Sequence, residues 1–389
     1  GTVEDFGCAA ILCPATTFNQ QGRQASSEDP CVPCSGVDAS PYHGSTTCSA
    51  VQKEQERQIL ELLYQVTGGP NWKKKDGWLD DKVDICDWHG INCRSGLTVE
   101  SILLGANNLV GTPPKQIFEL PNLQFLWLYA NPIRFSFEGI EKATGLTSIL
   151  LDSTGLESLE GIEKAESLVD IDLRFNKLRG KLPSELKNLR KLMSFSCSNN
   201  LLTGTVPSFA NNLNLGTLRL GNNAFTGTLP AFASHSALTQ LDVSDNKLVG
   251  TIPSDLLQAA DTSTAILLDL SSNDLTGTVP GTLARFDHMS MYLKDNRIEG
   301  IDEKLCSKPL WNDGDVATYQ CDGILCPVGF FSPGTGRGSK QSTNCFVCDE
   351  AKYFGSSTCG VSLASRRDIS MCAWSLLSLV VAAYILDIA

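Results

Sequence analysis

Cysteine is the residue type whose chemistry is easiest to interpret in this chain of 389 residues, which contains fifteen cysteines. Two segments, residues 8–48 and 321–359, share one pattern: Cys-x4-Cys-Pro, then Cys-x2-Cys 18–19 residues further on. Both segments end in a related string, YHGSTTC up to Cys48 and YFGSSTC up to Cys359. A Cys-x2-Cys pair can form structural disulfides, ligate zinc or act as a redox-active dithiol.

Structural disulfides are the reading favoured here, and no metal site is expected. Zinc requires four converging ligands, and a segment of about 40 residues with few apolar side chains needs covalent staples to fold. The predicted pairs are Cys13–Cys31, Cys34–Cys48, Cys306–Cys321, Cys326–Cys345 and Cys348–Cys359, and Cys86 and Cys93 are also expected in a disulfide. Because the count is odd, Cys197 is interpreted as a buried free thiol, and Cys8 has no evident partner and could cross-link two chains.

Residues that could support catalysis are not grouped. The four histidines, at positions 43, 89, 235 and 288, fall in different parts of the chain, and no nucleophile-elbow, zinc-protease or kinase motif occurs. Asp242 and Asp269 could nominally act as acid and base, but an open surface does not supply the burial that raises a carboxyl pKa. The sequence therefore predicts a protein that is not an enzyme and has no cofactor.

These residues are positioned by one unit that recurs from Val99 to about Cys306. In the copy Leu238–Pro253 (LTQLDVSDNKLVGTIP), Leu241 and Val243 alternate as in a short strand, and an asparagine follows. Equivalent asparagines recur every 22–27 residues, with Thr154 in place of one: Asn107, Asn131, Asn176, Asn200, Asn223, Asn246, Asn273 and Asn296. This period and pattern indicate stacked leucine-rich repeats, in which the asparagines satisfy buried backbone groups and form a ladder.

Several copies continue as Gly-Thr-x-Pro, for example Gly204 to Pro207 and Gly250 to Pro253. This tail resembles the consensus of plant-type extracellular leucine-rich repeats, a class that includes receptor-kinase ectodomains and polygalacturonase-inhibiting proteins. The resemblance implies an α/β solenoid of about nine repeats with a parallel sheet of short strands. The expected domains are 1–49 (cysteine-rich module), 50–98 (repeat cap), 99–305 (repeats), 306–360 (C-terminal cap and module) and 361–389 (spacer and apolar tail). The copies after Asn131 and Thr154 break the consensus, which predicts a different and more helical back for them.

A cap is expected before the first repeat, because the apolar end of a repeat array must be covered. Residues 51–66 have the period of an amphipathic helix, with Ile59, Leu62, Leu63 and Val66 on one face. The following tryptophans at 72, 78 and 88, with Cys86 and Cys93 around the last, resemble the cap of plant-type repeats. The resemblance implies that these tryptophans are core residues.

The positions that point outward between the strand leucines form one predicted row on the concave face. The row reads Leu103, Trp127, Leu150, Asp172, Ser196, Arg219, Asp242, Asp269 and Tyr292. Phe125 and Tyr129 flank Trp127, and Arg174 follows Asp172. Exposed aromatic and arginine side chains are common interface anchors, so the predicted ligand-binding residues are Phe125, Trp127, Tyr129, Asp172, Arg174, Arg219, Asp242, Asp269 and Tyr292. The alternative for Trp127 is packing against the cap.

Charge and the two chain ends complete the prediction. A net charge of −12 argues against nucleic acid and anionic lipid as partners. The cysteine pattern indicates an oxidising compartment, so the protein is expected to be secreted or on the cell surface, with a signal peptide already removed. Residues 371–386 are apolar, and small residues and a polar spacer precede them. This tail resembles a lipid-anchor signal, and a short transmembrane anchor or a packed tail are its alternatives.

These features together predict a non-catalytic recognition protein outside the cell. Its partner would be an extracellular protein or polysaccharide on the concave face, and signalling would require a co-receptor. A secreted inhibitor of wall-degrading hydrolases and a structural adhesion or matrix component are the alternatives.

Overall fold

The computed structural model describes residues 13, 17–19, 23–24, 30–33, 49–95, 98–340 and 344–359. Predictions for Cys34–Cys48, Cys8, Cys372 and the tail 361–389 lie outside the described residues. The chain divides into two compact units, Gly1–Asn246 with Leu257–Asp261, and Lys247–Leu256 with Thr262–Ala389. Among the described residues, no helix is long and apolar enough to cross a membrane.

The first unit begins with a capping region and continues as stacked repeats. It contains β1 (Thr17–Phe18), β2 (Val32–Pro33), helix α1 (Ser49–Val66), β3 (Ile91–Arg94) and β4 (Thr98–Leu103). The repeats add β5 (Phe125–Trp127), β6 (Ser148–Leu150), β7 (Asp170–Asp172), β9 (Ser194–Ser196), β11 (Thr217–Arg219) and β13 (Gln240–Asp242). Neighbouring strands from β4 to β13 pair in parallel, and β3 pairs with β4 in the antiparallel direction.

A second, smaller sheet forms the back of the later repeats in the first unit. It consists of β8 (Arg179–Lys181), β10 (Leu201–Thr205) and β12 (Ala224–Thr228), which also pair in parallel. Its glycines follow from the backbone, because Gly227 has φ +81° and a Cβ there would lie 2.9 Å from the Thr205 methyl group. The recurring Gly-Thr pair is therefore part of the scaffold.

The two copies that break the consensus do differ on the back. Each carries one short 3₁₀ helix, Ile140–Lys142 or Ile162–Lys164, and neither contributes a strand to the second sheet. Their 3₁₀ helices are shorter than Lys115–Glu119 and Ser184–Asn188 in the neighbouring copies. Among the described repeats, the copies that follow Asn200 and Asn223 have a strand of the second sheet and no 3₁₀ helix, so the back of the two variant copies is more helical than theirs, as expected. A glycine in the left-handed conformation, Gly139 or Gly161, precedes each of the two short 3₁₀ helices.

The second unit contains the last repeats and the C-terminal module. Its strands are β14 (Lys247–Thr251), β15 (Ile266–Asp269), β16 (Asp274–Val279), β17 (Met289–Tyr292) and β18 (Arg297–Ile301). Within this unit β15 pairs with β17, and β16 lies between β14 and β18. The module adds the short helix α2 (Asp315–Tyr319) and the antiparallel pair β19 (Phe330–Phe331) and β20 (Phe346–Val347).

The remaining described 3₁₀ helices belong to both units. Those of the first unit are Gly69–Asn71 and Ile85–Asp87, and those of the second unit are Gly281–Arg285, Glu303–Ser307, Trp311–Gly314 and Gln320–Gly323.

The repeat asparagines form the internal ladder that the sequence predicts. The Asn131 amide donates to the carbonyls of Leu104, Leu128 and Tyr129 at 2.8–3.1 Å. Its Oδ1 accepts from the backbone N–H groups of Asn107 and Leu109. The single hydroxyl of Thr154 bonds to the Leu151 carbonyl and to Oδ1 of Asn176 instead. Asn131 therefore satisfies backbone groups of two neighbouring repeats at once, whereas Asn107 of the first repeat bonds to the Lys74 backbone in the cap.

The cap is built on tryptophans, as expected. Trp72, Trp78 and Trp88 are at most 7% exposed and pack ring against ring, with centroids 4.8 Å apart in successive pairs. The predicted face of α1 is partly wrong, because Val66 is exposed and Ile59 and Leu62 are only half-buried. The buried stripe is instead formed by Glu56, Leu60, Leu63 and Tyr64. The sequence does not predict that Glu56 is buried, because its partner is distant in the chain. Its carboxylate accepts from the Val99 backbone N–H at 2.8 Å, and burial raises its pKa.

The described disulfides are Cys13–Cys31, Cys86–Cys93, Cys306–Cys321, Cys326–Cys345 and Cys348–Cys359. Cys345 and Cys348 of the C-terminal Cys-x2-Cys pair therefore take different partners, which leaves no thiolate pair there for zinc or redox chemistry. Cys197 is a free thiol that is completely buried, and this burial raises its pKa far above the ordinary value.

We expect Asn131→Ala to lower the free energy of unfolding by about 2–4 kcal/mol, since it leaves buried N–H and C=O groups of two repeats without partners. Urea unfolding followed by circular dichroism measures this change. Asn214→Ala is the matched control, because the exposed Asn214 amide makes one bond, to the Arg190 carbonyl, and should cost less than about 1 kcal/mol. Equal losses for the two variants would contradict the role of the ladder.

Candidate functional site

The outward-facing residues of the β4–β13 sheet, which we call the strand face, lie in three rows set by the parallel register. The central row is Leu103, Trp127, Leu150, Asp172, Ser196, Arg219 and Asp242, and each residue is paired with the next in the register. The leading row, two residues earlier, contains Phe125, Ser148 and Asp170. The trailing row, two residues later, contains Tyr129, Asp152, Arg174 and Ser198. Adjacent positions in a row are about 4.8 Å apart.

Three aromatic side chains occupy one strand of this face. The rings of Phe125 and Trp127 meet edge to face with centroids 6.2 Å apart. The Trp127 indole N–H donates to the Ser148 hydroxyl at 3.0 Å, so the indole is directed along the sheet towards β6. Tyr129 is 36% exposed, and its ring lies over Gly105, where a Cβ would be only 2.3 Å from the ring. The predicted aromatic residues are thus brought together on a partly exposed surface.

An ion pair lies two strands away from the aromatic residues. Arg174 Nε and Nη2 donate to the Asp172 carboxylate at 2.6–3.0 Å, and these hydrogen bonds raise the pKa of Arg174. The two predicted residues Asp172 and Arg174 therefore neutralise each other. The hydrogen bonds are bidentate, which fixes the orientation of both side chains. We call this Asp172–Arg174 ion pair the polar ridge of the strand face.

Asp152, which the sequence analysis overlooked, lies between Tyr129 and Arg174 in the trailing row. The backbone bonds from Ala130 N to Asp152 O and from Ser153 N to Arg174 O fix this order. Its carboxylate accepts a long bond of 3.4 Å from the Ser153 hydroxyl and a bond from its own backbone N–H. Burial, and then the charge of Asp172, raise the pKa of Asp152 more than Arg174 lowers it. The predicted set contains Tyr129 and Arg174, the neighbours of Asp152 in the trailing row, but the sequence carries no signal that Asp152 lies between them.

The remaining predicted residues of the first unit have partners of their own. Arg219 Nη2 donates to Gln240 at 2.8 Å. The Asp242 carboxylate accepts from the backbone and the hydroxyl of Ser244 at 3.0 and 2.6 Å. This half of the strand face is therefore polar and internally hydrogen-bonded, in contrast to the aromatic half.

The predicted row continues in the second unit with Asp269 and Tyr292, which are paired in the register of β15 and β17. Asp269 is held by Ser271 in the same way that Ser244 holds Asp242. Tyr292 lies under the guanidinium of Arg337, which is 5.1 Å from the ring centroid and only 8% exposed. Whether Asp269 and Tyr292 bind a ligand stays a prediction, and Tyr292 is already in contact with the C-terminal module.

The module is clamped to the last repeat by several polar contacts. Lys294 Nζ donates to the Gly334 carbonyl at 2.6 Å, and the Ser357 hydroxyl donates to Asp295 at 2.7 Å. The glycine-rich segment 333–340, which superficially suggests a phosphate loop, is a turn that carries Arg337 into this contact. Its function here is structural.

Within the part of the chain that the structure describes, no three His, Cys, Asp or Glu side chains come together as metal ligands. The ring of His235 is buried, with Nε2 3.0 Å from the Phe209 carbonyl.

Comparison with known proteins defines the class of the fold. The Leucine Rich Repeat family profile matches residues 167–189 and 237–259. The structure resembles the Arabidopsis receptor kinase HAESA in complex with the peptide hormone IDA and the co-receptor SERK1, at 27% identity and TM-score 0.60, over 66% of this chain and 44% of that one. It also resembles a plant ice-binding protein, at 25% identity and TM-score 0.52, over 63% of this chain and 87% of that one. The fold is a leucine-rich repeat solenoid.

The sequence comparisons refine this class. The chain is 33% identical over 142 residues to Serine/threonine-protein kinase BRI1-like 1 of Arabidopsis thaliana, which covers 35% of this chain and 12% of that protein. It is 28% identical over 209 residues to Receptor like protein 21 of the same plant, which covers 42% and 21%. The chain thus spans only a small part of these relatives. Its repeats are similar to those of plant receptor-like proteins.

We expect Asp152→Asn to raise the free energy of unfolding at pH 7 by up to about 0.5 kcal/mol, a small gain because the carboxylate is partly exposed. A raised folded-state pKa means that the native state binds the proton more tightly, so the charged form costs stability at neutral pH. This cost disappears below the ordinary aspartate pKa of about 3.9, and so should the gain.

Urea unfolding at pH 7 and pH 3.5 tests this expectation. Glu157→Gln, an exposed carboxylate outside the strand face, is the control and should change stability at neither pH. If Asp152→Asn is less stable than the wild type at pH 7, the charged Asp152 stabilises the native state and the expectation is wrong.

Proposed function

We propose that this protein is a non-catalytic recognition protein that binds an extracellular polypeptide on the strand face of its first unit, the predicted concave face. The observation that carries the proposal is the partly exposed cluster of Phe125, Trp127 and Tyr129 on one strand. The polar ridge, the Asp172–Arg174 ion pair, lies two strands away on the same face. Large aromatic side chains contribute much of the affinity of protein interfaces, provided that they can be buried by the partner.

Two further facts support a polypeptide partner. HAESA, which the structure resembles, is in complex with a peptide hormone and a co-receptor. The strand face is also an open sheet surface, onto which an extended chain can lie. A co-receptor for this protein, and membrane attachment through residues 361–389, follow from the same proposal.

We expect the double variant Trp127→Ala, Arg219→Glu to lose at least tenfold in the capture of its partner from native extracellular extract, because it removes an anchor and reverses a charge on the strand face. The full chain would be immobilised, and captured proteins would be quantified by mass spectrometry. Circular dichroism would show that the variant is folded.

The matched control is Phe346→Ala, which removes an aromatic side chain that is 45% exposed in the C-terminal module. It should leave capture unchanged. Loss of capture in Phe346→Ala, with full capture by the double variant, would move recognition to the module and overturn the proposal.

A second candidate function is binding to ice, which the threonine rows on the back of the first unit favour. Thr203 and Thr205 on β10, and Thr226 and Thr228 on β12, are exposed, and Thr205 is paired with Thr226 in the register. Hydroxyl and methyl groups repeated at the strand spacing can hold an ordered layer of water. The similarity to a plant ice-binding protein, of which this chain covers 87%, points the same way.

If this second candidate is correct, the full chain will slow the recrystallisation of ice, and Thr226→Lys will abolish the effect, since a long charged side chain disrupts the ordered layer. Crystal size in a frozen sucrose solution is the measurement. Lys187→Thr, a change that leaves these rows intact, is the control. Crystals that grow as fast with the wild type as in buffer would eliminate this candidate.

A further inference from the structure

We infer that the polypeptide bound by the strand face is recognised through two basic side chains, one held by Asp152 and one by Asp170 beside Trp127. The inference rests on the proposed function and specifies the chemistry of the partner. It follows from the charges on the strand face, from their positions in the rows and from the direction of the Trp127 side chain.

The charges on the strand face do not balance. Asp172 is neutralised by Arg174, and Arg219 is bonded to the neutral Gln240. No ion pair among the described residues includes Asp152 or Asp170. Arg174 also attracts Asp152 and Asp170, but its guanidinium is bonded to Asp172. One cation thus faces three carboxylates, and the aromatic half of the face keeps an excess of negative charge. The whole chain is also acidic, with a net charge of −12, so a basic partner is attracted at long range.

The surroundings of Asp152 disfavour its negative charge in the free protein, and a bound cation would compensate that charge. The carboxylate is half-buried and is repelled by Asp172, and it accepts only local hydrogen bonds, a long one from the Ser153 hydroxyl and one from its own backbone N–H. A cationic donor group from a partner would satisfy the carboxylate. Groups kept in an unfavourable state in the free protein are typical of binding sites.

Asp170 lies on the other side of the central row, near the indole. Trp127 reaches towards Ser148 of the leading row, and Asp170 is the next residue of that row. An ammonium or guanidinium group bonded to Asp170 can therefore also lie against the indole, a cation–π contact that adds to the ion pair. The methylene stem of such a side chain can pack on the half-buried Leu150.

The distance between the two carboxylates specifies the spacing of the basic residues. Asp170 is in the leading row and Asp152 in the trailing row, so they are four residues apart along the strand direction and one strand apart across it. This places their backbones about 14 Å from each other. An extended peptide rises about 3.3 Å per residue, so the partner should carry Lys or Arg at positions i and i+4.

Charge also decides between a polypeptide and the other ligands of this compartment. An uncharged glycan can stack on Trp127 but leaves both carboxylates without a counter-charge. An acidic polysaccharide or a phosphorylated ligand would be repelled by them. A basic polypeptide is the class that satisfies the aromatic cluster and both carboxylates together.

The test is selection of peptides from a phage-displayed library of random 12-residue sequences on the immobilised full chain. We expect enrichment of Lys or Arg at two positions four residues apart. For a synthetic peptide of the enriched sequence, Asp152→Asn and Asp170→Asn should each weaken binding about tenfold in titration calorimetry. Glu157→Gln should have no effect. Replacing one Lys of the peptide by Gln should remove the effect of one aspartate variant but not of the other, which assigns each contact.

Enriched peptides without basic residues, basic peptides that bind both aspartate variants as tightly as the wild type, or no enrichment would each overturn the inference. Binding of a neutral glycan that Trp127→Ala abolishes but the aspartate variants retain would overturn it as well. These failures are separate from failure of the proposed function. If the aspartate variants capture the extracellular partner normally while Trp127→Ala, Arg219→Glu loses it, the strand face still recognises a partner without the cationic anchors.

Discussion

The structure depends on one recurring interaction, the hydrogen bonds of an asparagine that recurs in all the repeats but one, where Thr154 replaces it. After every strand the chain turns, and this turn leaves backbone N–H and C=O groups inside the molecule. An asparagine amide carries donors and an acceptor on one short side chain, so it can bond to its own turn and to the preceding one. Asn131 and Asn176 each do so. Because unpaired buried polar groups are costly, this requirement fixes how neighbouring repeats stack.

The fixed stacking explains why the outward residues form usable rows. Each strand is held in parallel register with the next, so Trp127, Leu150 and Asp172 must lie side by side although they are more than 20 residues apart in the chain. The outward positions do not contribute to the core. They can therefore carry groups that do not stabilise the fold, such as a carboxylate without an ion-pair partner. The scaffold tolerates Asp152 because the ladder and the leucines supply the stability.

The two ends of the repeats are closed by different means. At the first repeat, a tryptophan cluster and the Cys86–Cys93 disulfide cover the apolar end, and Glu56 satisfies the backbone of β4. At the last repeat, the C-terminal module is attached by polar contacts, and Arg337 covers Tyr292. The module thus takes up a position of the predicted binding row. Binding is consequently proposed on the first unit, where the aromatic residues remain partly exposed.

The sequence by itself determined the repeat, its period, the asparagine ladder and the core tryptophans, because each depends on a local pattern that recurs. The predicted pairs of the C-terminal module are confirmed, although the sequence alone does not prove the connectivity of its cysteines. Only the tertiary structure decided which groups neutralise each other. Asp172 and Asp152 cannot be told apart in the sequence. In the structure the guanidinium of Arg174 forms an ion pair with Asp172 and none with Asp152. The tertiary structure also decided that α1 buries Glu56 and that Arg337 lies on Tyr292, because these contacts join residues whose distance in the sequence carries no periodic signal.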